Sequence, residues 1–486
     1  MPDLVAQLDP ERGKMSDDPA LLPATALIDH YRKKSLSPVE ATKAALARIA
    51  ALDPALNAFC LLDEEGALAA ARAAEARWMR NAPQGLVDGV PATVKDVMVA
   101  RGWATRRGSK TASNQTAEED APMVARLREH GAVLLGKTTT PEFGWKAIGD
   151  SPLTGITRNP WSRDHTPGGS SAGAAVGAAT GMGALHLGSD GGGSIRIPCS
   201  FCGVFGIKPT FGLVPSAPPS QFAIVAHTGP ITRTVADAAL MLSVIARWDA
   251  RDPYVLPPAA RDFASGLDAG VNGLRMAFSP GLGYAAVDPE VASRVEAAVE
   301  IFADLGARME LADPGFASPR DAFWSLWCAA AARIVNGIEP SRRGELEPGF
   351  LQTAECGARL TAIDYLDAEA IRAGLVERMN AFLDRYDVLV TPTVAVPALP
   401  VGQDLADPSR QEFWIDWTPF SYPFNMSRQP SANVPCGVTR AGLPVGLQVI
   451  AAQGNDALVL RVARAYEAVH PFALPDITCA CEPSSS

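Results

Sequence analysis

The sequence predicts an α/β fold: one large domain whose strands form a central sheet covered by helices. Three observations carry this expectation. A strand, a helix and a second strand follow one another between Gly89 and Thr139, the order that lays parallel strands beneath covering helices. Helical patterns recur on both sides of that unit. No repeat, low-complexity linker or charge block divides the 486 residues, and large α/β enzymes reach this length around a single sheet.

The elements follow in order. From Pro23 to about Arg80 the pattern is helical, and "SPVEATKAALARIAALDPALNAF" opens with Ser37 as cap, Pro38 at the first helical position and Glu40 closing a capping box. Val39, Thr42, Leu46 and Ile49 then recur at helical spacing. After Gln84, "GVPATVKDVMV" reads as a strand carrying Lys95 and "GAVLLGKTT" as another. A helix from Pro122 to His130 lies between them, with Asp120 as its cap and Gly131 as its stop. Ala184, Leu185 and Leu187 mark a short buried strand. Residues 232–250 and 288–306 read as amphipathic helices, and 321–335 as a helix rich in aromatics. "YDVLVTPTVAVPALPVG" is a buried strand running into a proline-rich loop, and "NVPCGVTRAGLPVGLQVIA" is two strands joined by a turn at Gly442. The single domain 1–486 thus divides into five parts. They are a helical N-terminal segment (1–80), a core holding the candidate chemistry (81–230), helices and loops shaping a pocket (231–420), C-terminal strands and a helix (421–475), and a frayed tail (476–486).

Composition narrows the function classes. The chain is 47% hydrophobic and 20% charged, with a formal net charge of −10. That balance argues against a nucleic-acid or membrane-surface partner, because phosphate binding requires clustered Lys and Arg. The first residues lack the apolar core of about 7–15 residues that marks a secretory signal, and no run reaches the ~18 apolar residues of a membrane span. A soluble, cytoplasmic protein is the expectation. Eight cysteines are too sparse for a disulfide framework. Cys199 and Cys202 form a C-x-x-C without a second pair at zinc-like spacing, so packing is the expected role. Cys479 and Cys481 fall in the tail. The six histidines are scattered, and neither a metal nor a cofactor is expected.

The chemistry concentrates in two glycine–serine segments. In "LGSDGGGSIRIPCSFCG" Gly191, Gly192 and Gly193 precede Ser194; bare amides of this kind can form a nest for a negative oxygen beside a nucleophile. In "TPGGSSAGAAVGAATG" two glycines precede Ser170 and Ser171. Gly169 to Gly173 also fits the G-x-S-x-G elbow, which nominates Ser171, but that elbow follows a strand directly. The preceding "NPWSRDHTPGG" is a proline-broken loop, which disfavours it.

Together with "GVPATVKD", these segments resemble the amidase signature family of serine hydrolases. "LLGKTTTPEFG", "TRNPW", "GIKPTFG", "GPITRTVADAA", "DVLVTPT" and "FNMSRQPSANVPCGVTRAGLPVGLQVI" extend the resemblance from about Gly89 to Ala451. It implies a mixed sheet with helices on both faces and amide hydrolysis through an acyl-serine. In that scheme Ser194 is the nucleophile, Ser170 relays its proton across a cis Gly169–Ser170 peptide, and Lys95 is the base. The backbone N–H groups of Gly191, Gly192, Gly193 and Ser194 form the oxyanion hole. The scheme is physically sensible: a serine hydroxyl needs a base, and burial on a strand can keep a lysine neutral. Lys137 is the competing base. Asp96, Asp190 and Arg196 are expected to brace loops, and Ser171 to satisfy backbone groups. Three positions depart from the family's habit: Gly191 stands for Ile or Thr, Ala172 for Gly and Arg428 for Gly.

Substrate preference is read from two aromatic clusters, Phe323, Trp324 and Trp327, and Phe413, Trp414, Trp417 and Phe420. Aromatic stripes are commonly core, but the second cluster mixes with Gln411 and Asp416 as a rim or lid would. Trp327, Trp414, Trp417 and Arg428 are therefore the candidate substrate contacts. The expected partner is a small-molecule amide with apolar or aryl groups, and aryl esters and carbamates (urethanes) lie within reach of the same triad. Two alternatives stand beside this reading. One is the glutamine-hydrolysing subunit of a tRNA-dependent amidotransferase, in which Thr418 falls near where those subunits present an aspartate. The other is a non-catalytic scaffold, disfavoured by the presence of all three triad residues. Monomer and homodimer are both left open.

Overall fold

The computed structural model describes residues 18–257 and 262–477. Among these residues eleven strands form one mixed sheet and two more form a small hairpin. In chain order they are β1 (Phe59–Leu62), β2 (Pro91–Lys95), β3 (Val133–Thr138), the hairpin β4 (Asp150–Ser151) and β5 (Gly155–Ile156), β6 (Leu185–Asp190) and β7 (Phe205–Lys208). Then come β8 (His227–Thr232), β9 (Arg275–Phe278), β10 (Arg308–Leu311), β11 (Val388–Pro392), β12 (Ser431–Val438) and β13 (Pro444–Ala451). The large sheet runs β1-β3-β2-β6-β8-β7-β12-β13-β11-β9-β10. The strand–helix–strand unit gives the expected parallel pair β2/β3, and β6 joins β2 in parallel on the other side. Pairing then turns antiparallel from β6 through β13 to β11.

Helices cover both faces because strand side chains alternate. Along β3, Leu134 packs into one apolar cluster with Val94 and the helix Val235–Ile245, whereas Val133 and Leu135 pack into another with Leu46, Ile49 and the helix Ala172–Thr180. That last helix is all small residues apart from Val176 and is buried on every side; a Cβ on Gly173 would clash with the Ala58 carbonyl. Among the described residues no helix is long and apolar enough to cross a membrane.

The Ser37 capping box is present, with Glu40 N–H donating to Ser37 Oγ and Ser37 N–H to Glu40 Oε2. Three local expectations are corrected. The helical reading to Arg80 is interrupted by β1, a four-residue apolar run too short for periodicity to classify. Asp120 does not cap the next helix: Ala121 holds that position, while Asp120 accepts the Arg101 N–H and pairs with Arg128. The helix read over 232–250 spans Val235–Ile245 and is buried on nearly all sides, not amphipathic, because other helices cover the face turned away from the sheet. Residues 478–486, with Cys479 and Cys481, lie outside the described residues, as does the first segment read for a signal. Cys199 and Cys202 are buried in the helix Arg196–Cys202.

Candidate active site

Parallel strands β2 and β6 end side by side, and ligands of open α/β sheets lie beyond such carboxyl ends. Lys95 is the last residue of β2 and is fully buried. Its Nζ donates to Ser170 Oγ at 2.7 Å and to Ser189 Oγ at 2.9 Å. Burial pulls the Lys95 ammonium down to about 7, against an opposing pull from Asp190. The Gly169–Ser170 peptide is cis. A Cβ on Gly144 would come within 3.1 Å of Ser170 Oγ, so the bare backbone of that turn backs the hydroxyl.

Beyond β6 the chain turns through Gly191, Gly192 and Gly193 into Ser194. The Asp190 carboxylate holds this turn by accepting the N–H groups of Gly193 (2.7 Å), Ile195 (3.1 Å) and Arg196 (3.4 Å). This corrects the four-donor nest: the Gly193 amide is committed to Asp190, which leaves those of Gly191, Gly192 and Ser194 without a protein acceptor among the described residues. The glycines answer to different constraints. Gly193 adopts φ +124, and its Cβ would meet Ile197 and Ser421. At Gly191 a Cβ would press the Trp327 ring at 3.0 Å, and at Gly192 the Phe323 ring at 2.8 Å. Trp327 thus fills the room that an Ile or Thr at 191 would take.

Asp190 is itself anchored by Arg196, whose Nε and Nη2 each donate to it at 2.9 Å. Arg196 continues to Ser421 O, Gln448 Oε1 and Asn425 Oδ1. Burial raises the Asp190 carboxyl, but Arg196, Lys208 and Asn425 outweigh it and hold it below the ordinary carboxylate range. These residues brace the loop, as expected. Ser171 does likewise, donating to Ser189 O and accepting Ser189 N–H. A loop, not a strand, precedes it, so the elbow geometry is absent.

Ser170, Ser189, Gly191 and Ser194 line one cleft that opens to solvent. Trp327 lines it too, stacked on Phe222 with ring centroids 3.8 Å apart and Nε1 donating to Trp145 O. The other three candidate contacts are corrected. Trp414 is buried behind Gly192 and Trp327 and does not reach the cleft. Trp417 is buried against Phe201, with Nε1 donating to Asp404 O. Arg428 lies outside the cleft lining, its guanidinium 4.6 Å from the Phe211 ring centre. Its φ of +69 explains why glycine is at home there. The segment Trp414–Phe420 is therefore packed into the core and does not form a lid, with Asp416 paired to Arg320 and Glu412 at the surface. Sequence reasoning missed Ser189, whose signal is its place on the strand next to Lys95. It also missed the loop Ser216–Phe222 and Met123, which line the cleft by tertiary approach alone.

The chain is similar to known proteins over most of its length. The family model described as Amidase matches residues 40–460. An acylamidase from Rhodococcus erythropolis is 39% identical over 459 residues, covering 93% of this chain and 96% of that protein. A glutamyl-tRNA(Gln) amidotransferase subunit from Myxococcus xanthus is 36% identical over 466 residues, covering 89% and 94%. The crystal structure of a bacterial aryl acylamidase of the amidase signature enzymes superposes with a TM-score of 0.87 at 30% identity, over 93% of this chain and 97% of that one.

Proposed function

The chain belongs to the amidase signature family, and on that premise we propose that it hydrolyses apolar or aryl amides through a covalent acyl-Ser194. The observation that carries this reading is the 2.7 Å contact of Lys95 Nζ with Ser170 Oγ, in a cleft lined by Ser194. Neutral Lys95 accepts the Ser170 hydroxyl proton as Ser170 takes that of Ser194, and Ser194 Oγ bonds to the carbonyl carbon. The carbonyl electron pair moves onto oxygen, which the amides of Gly191, Gly192 and Ser194 receive; one such donor is worth about 10²–10³ in rate. The C–N bond then breaks while the proton returns from Lys95 through Ser170 to the leaving nitrogen. Water adds to the acyl carbon by the same relay, and Ser194 leaves with its proton restored. Aryl esters and carbamates offer the same carbonyl to Ser194. Trp327, Phe222 and Phe143 supply an aromatic wall.

The resemblance to amidotransferase subunits favours glutamine hydrolysis as a second reading. It ranks below the first because no Asp or Glu among the described residues lines the cleft to meet an α-ammonium. Thr418 is buried, its hydroxyl donating to Ile415 O.

A fluorophosphonate probe tests the reading. Wild type and Ser171→Ala are expected to label and Ser194→Ala is not; label retained in Ser194→Ala and lost in Ser171→Ala overturns the assignment. A panel of p-nitroanilides, primary amides, aryl esters, carbamates and glutamine then ranks substrates by kcat/KM.

A further inference from the structure

Outward from Ser194, past Val99, Phe143 and Gln221, the cleft opens into a second, shallower depression. Arg107 lines both. Its backbone is fixed: the N–H donates to Asp96 O at 3.0 Å, the carbonyl accepts the Phe143 N–H at 2.7 Å, and φ is +52, a value non-glycine residues seldom adopt. The guanidinium is left with little to do. Among the described residues it makes a single long hydrogen bond, 3.5 Å from Nη1 to Thr105 O, and no carboxylate lies within ion-pair distance of it. Asp96, the acid that influences it, spends Oδ1 on Lys137 and the Arg106 N–H, and its Oδ2 is buried without a hydrogen bond from Arg107 or any other described residue. Across the outer depression stands Arg333, with Nη2 donating to Gln221 O at 2.9 Å. No Asp or Glu among the described residues lines either depression, although the whole chain carries a net charge of −10.

A half-buried guanidinium with open donors and no acid at ion-pair distance is complementary to a carboxylate, which it can grip through two parallel bonds. We propose that Arg107 is a specificity-determining residue that receives a carboxylate carried by the substrate. The preferred substrates are then amides whose acyl or amine portion ends in an anionic group, several bonds from the scissile C–N bond. This rests on Ser194 being the amide-hydrolysing centre.

The test compares kcat/KM of the full-length enzyme on two matched pairs: N-phenylglutaramate against N-phenylpentanamide, and 4-acetamidobenzoate against 4-acetamidotoluene. In at least one pair the anionic member is expected to lead by about tenfold or more. Added salt should shrink that lead. In Arg107→Met the ratio should fall to about one, and Arg107→Lys should keep part of it because charge survives while the planar fork is lost. If Arg107→Met does not fold, the wild-type ratio and its salt dependence decide. Neutral anilides hydrolysed with no anionic lead, or a lead that survives in Arg107→Met, overturns the inference and leaves the amide-hydrolase reading standing. No turnover of either pair together with no probe label on Ser194 overturns both.

Discussion

Lys137 Nζ lies 2.7 Å from the Asp96 carboxylate, with both side chains buried. On the neighbouring strand Lys95 meets two serine hydroxyls instead. A register shift separates the two lysines: Ala92 pairs with Leu134 but Thr93 with Gly136, so Lys137 stands beside Val94 and Lys95 beside Thr138. One extra residue in a strand sends every following side chain to the other face. Without that bulge the two lysines would be paired neighbours on one face. With it, the lysine held by a carboxylate and the lysine held by hydroxyls are kept apart.

The pH profile should report Lys95. Because burial pulls its ammonium down to about 7, kcat/KM is expected to be small at acid pH and to rise through about 7 as the base form appears. Lys95→Ala should lower amide turnover by several orders of magnitude and flatten the limb, with esters suffering less because their leaving oxygen needs no proton. His227 lines the cleft, but burial, with Lys208 adding to it, holds the imidazole well below its ordinary value, so His227→Gln should keep the limb. A limb lost in His227→Gln and kept in Lys95→Ala would contradict the assignment.

Lys95 should also cost stability. Its folded value is depressed from 10.5 to about 7, so between those pH values the unfolded chain holds a proton that the native one lacks, and stability rises with pH across that window. Lys95→Met is therefore expected to be inactive yet more stable by an amount on the order of a few kcal/mol at neutral pH. The gain should shrink as pH approaches 10.5. Thermal melts at pH 7 and pH 10 check this; equal or lower stability of the variant at pH 7 contradicts it.

Asp190→Asn should damage both fold and rate. It leaves Arg196 buried without its ion pair and weakens the grip on three loop amides. Breaking a buried pair from one side costs about 3–5 kcal/mol. Urea denaturation should show that loss, and the surviving folded enzyme should label more slowly at Ser194. Unchanged labelling kinetics would mean the loop does not depend on Asp190.

Trp327 and Trp417 should part ways. Leucine at either position is expected to lower Tm, since both rings are buried. Only Trp327→Leu should also lower the preference for aryl over alkyl amides, by about three- to tenfold from lost ring contact. A matching change in Trp417→Leu would return that residue to the substrate.

Lys95, Ser170 and Ser194 were named from the resemblance to the amidase signature family, which rests on the two glycine–serine segments and the strand lysine quoted for it. The Ser37 capping box and the Gly442 turn, with φ +77, were legible from local pattern. What could not be read depends on approach between distant segments. Gly191 and Gly192 owe their bareness to Trp327 and Phe323, and no neighbouring residue announces this. Trp414, Trp417 and Trp327 look alike in sequence, and only the fold turns one of them toward the cleft. Arg107 carries no motif, and Ser189, though inside the quoted glycine–serine segment, shows its contact with Lys95 only once β2 and β6 pair.

The clamp on Arg196 has a consequence for biosynthesis. Its partner Gln448 lies 252 residues downstream, and translation proceeds at about 5–20 residues per second. For roughly 10–50 s, therefore, a nascent chain already holding Lys95, Ser170 and Ser194 has the local grip of Asp190 on the loop but lacks the distant acceptors of Arg196. Over the same interval β7 is an open sheet edge, since its outer neighbour β12 has not yet been made, and such edges invite wrong pairing. The loop that carries Ser194 is thus fully anchored only once the last strands of the sheet have been made, and until then the open edge of β7 is the part most exposed to mispairing.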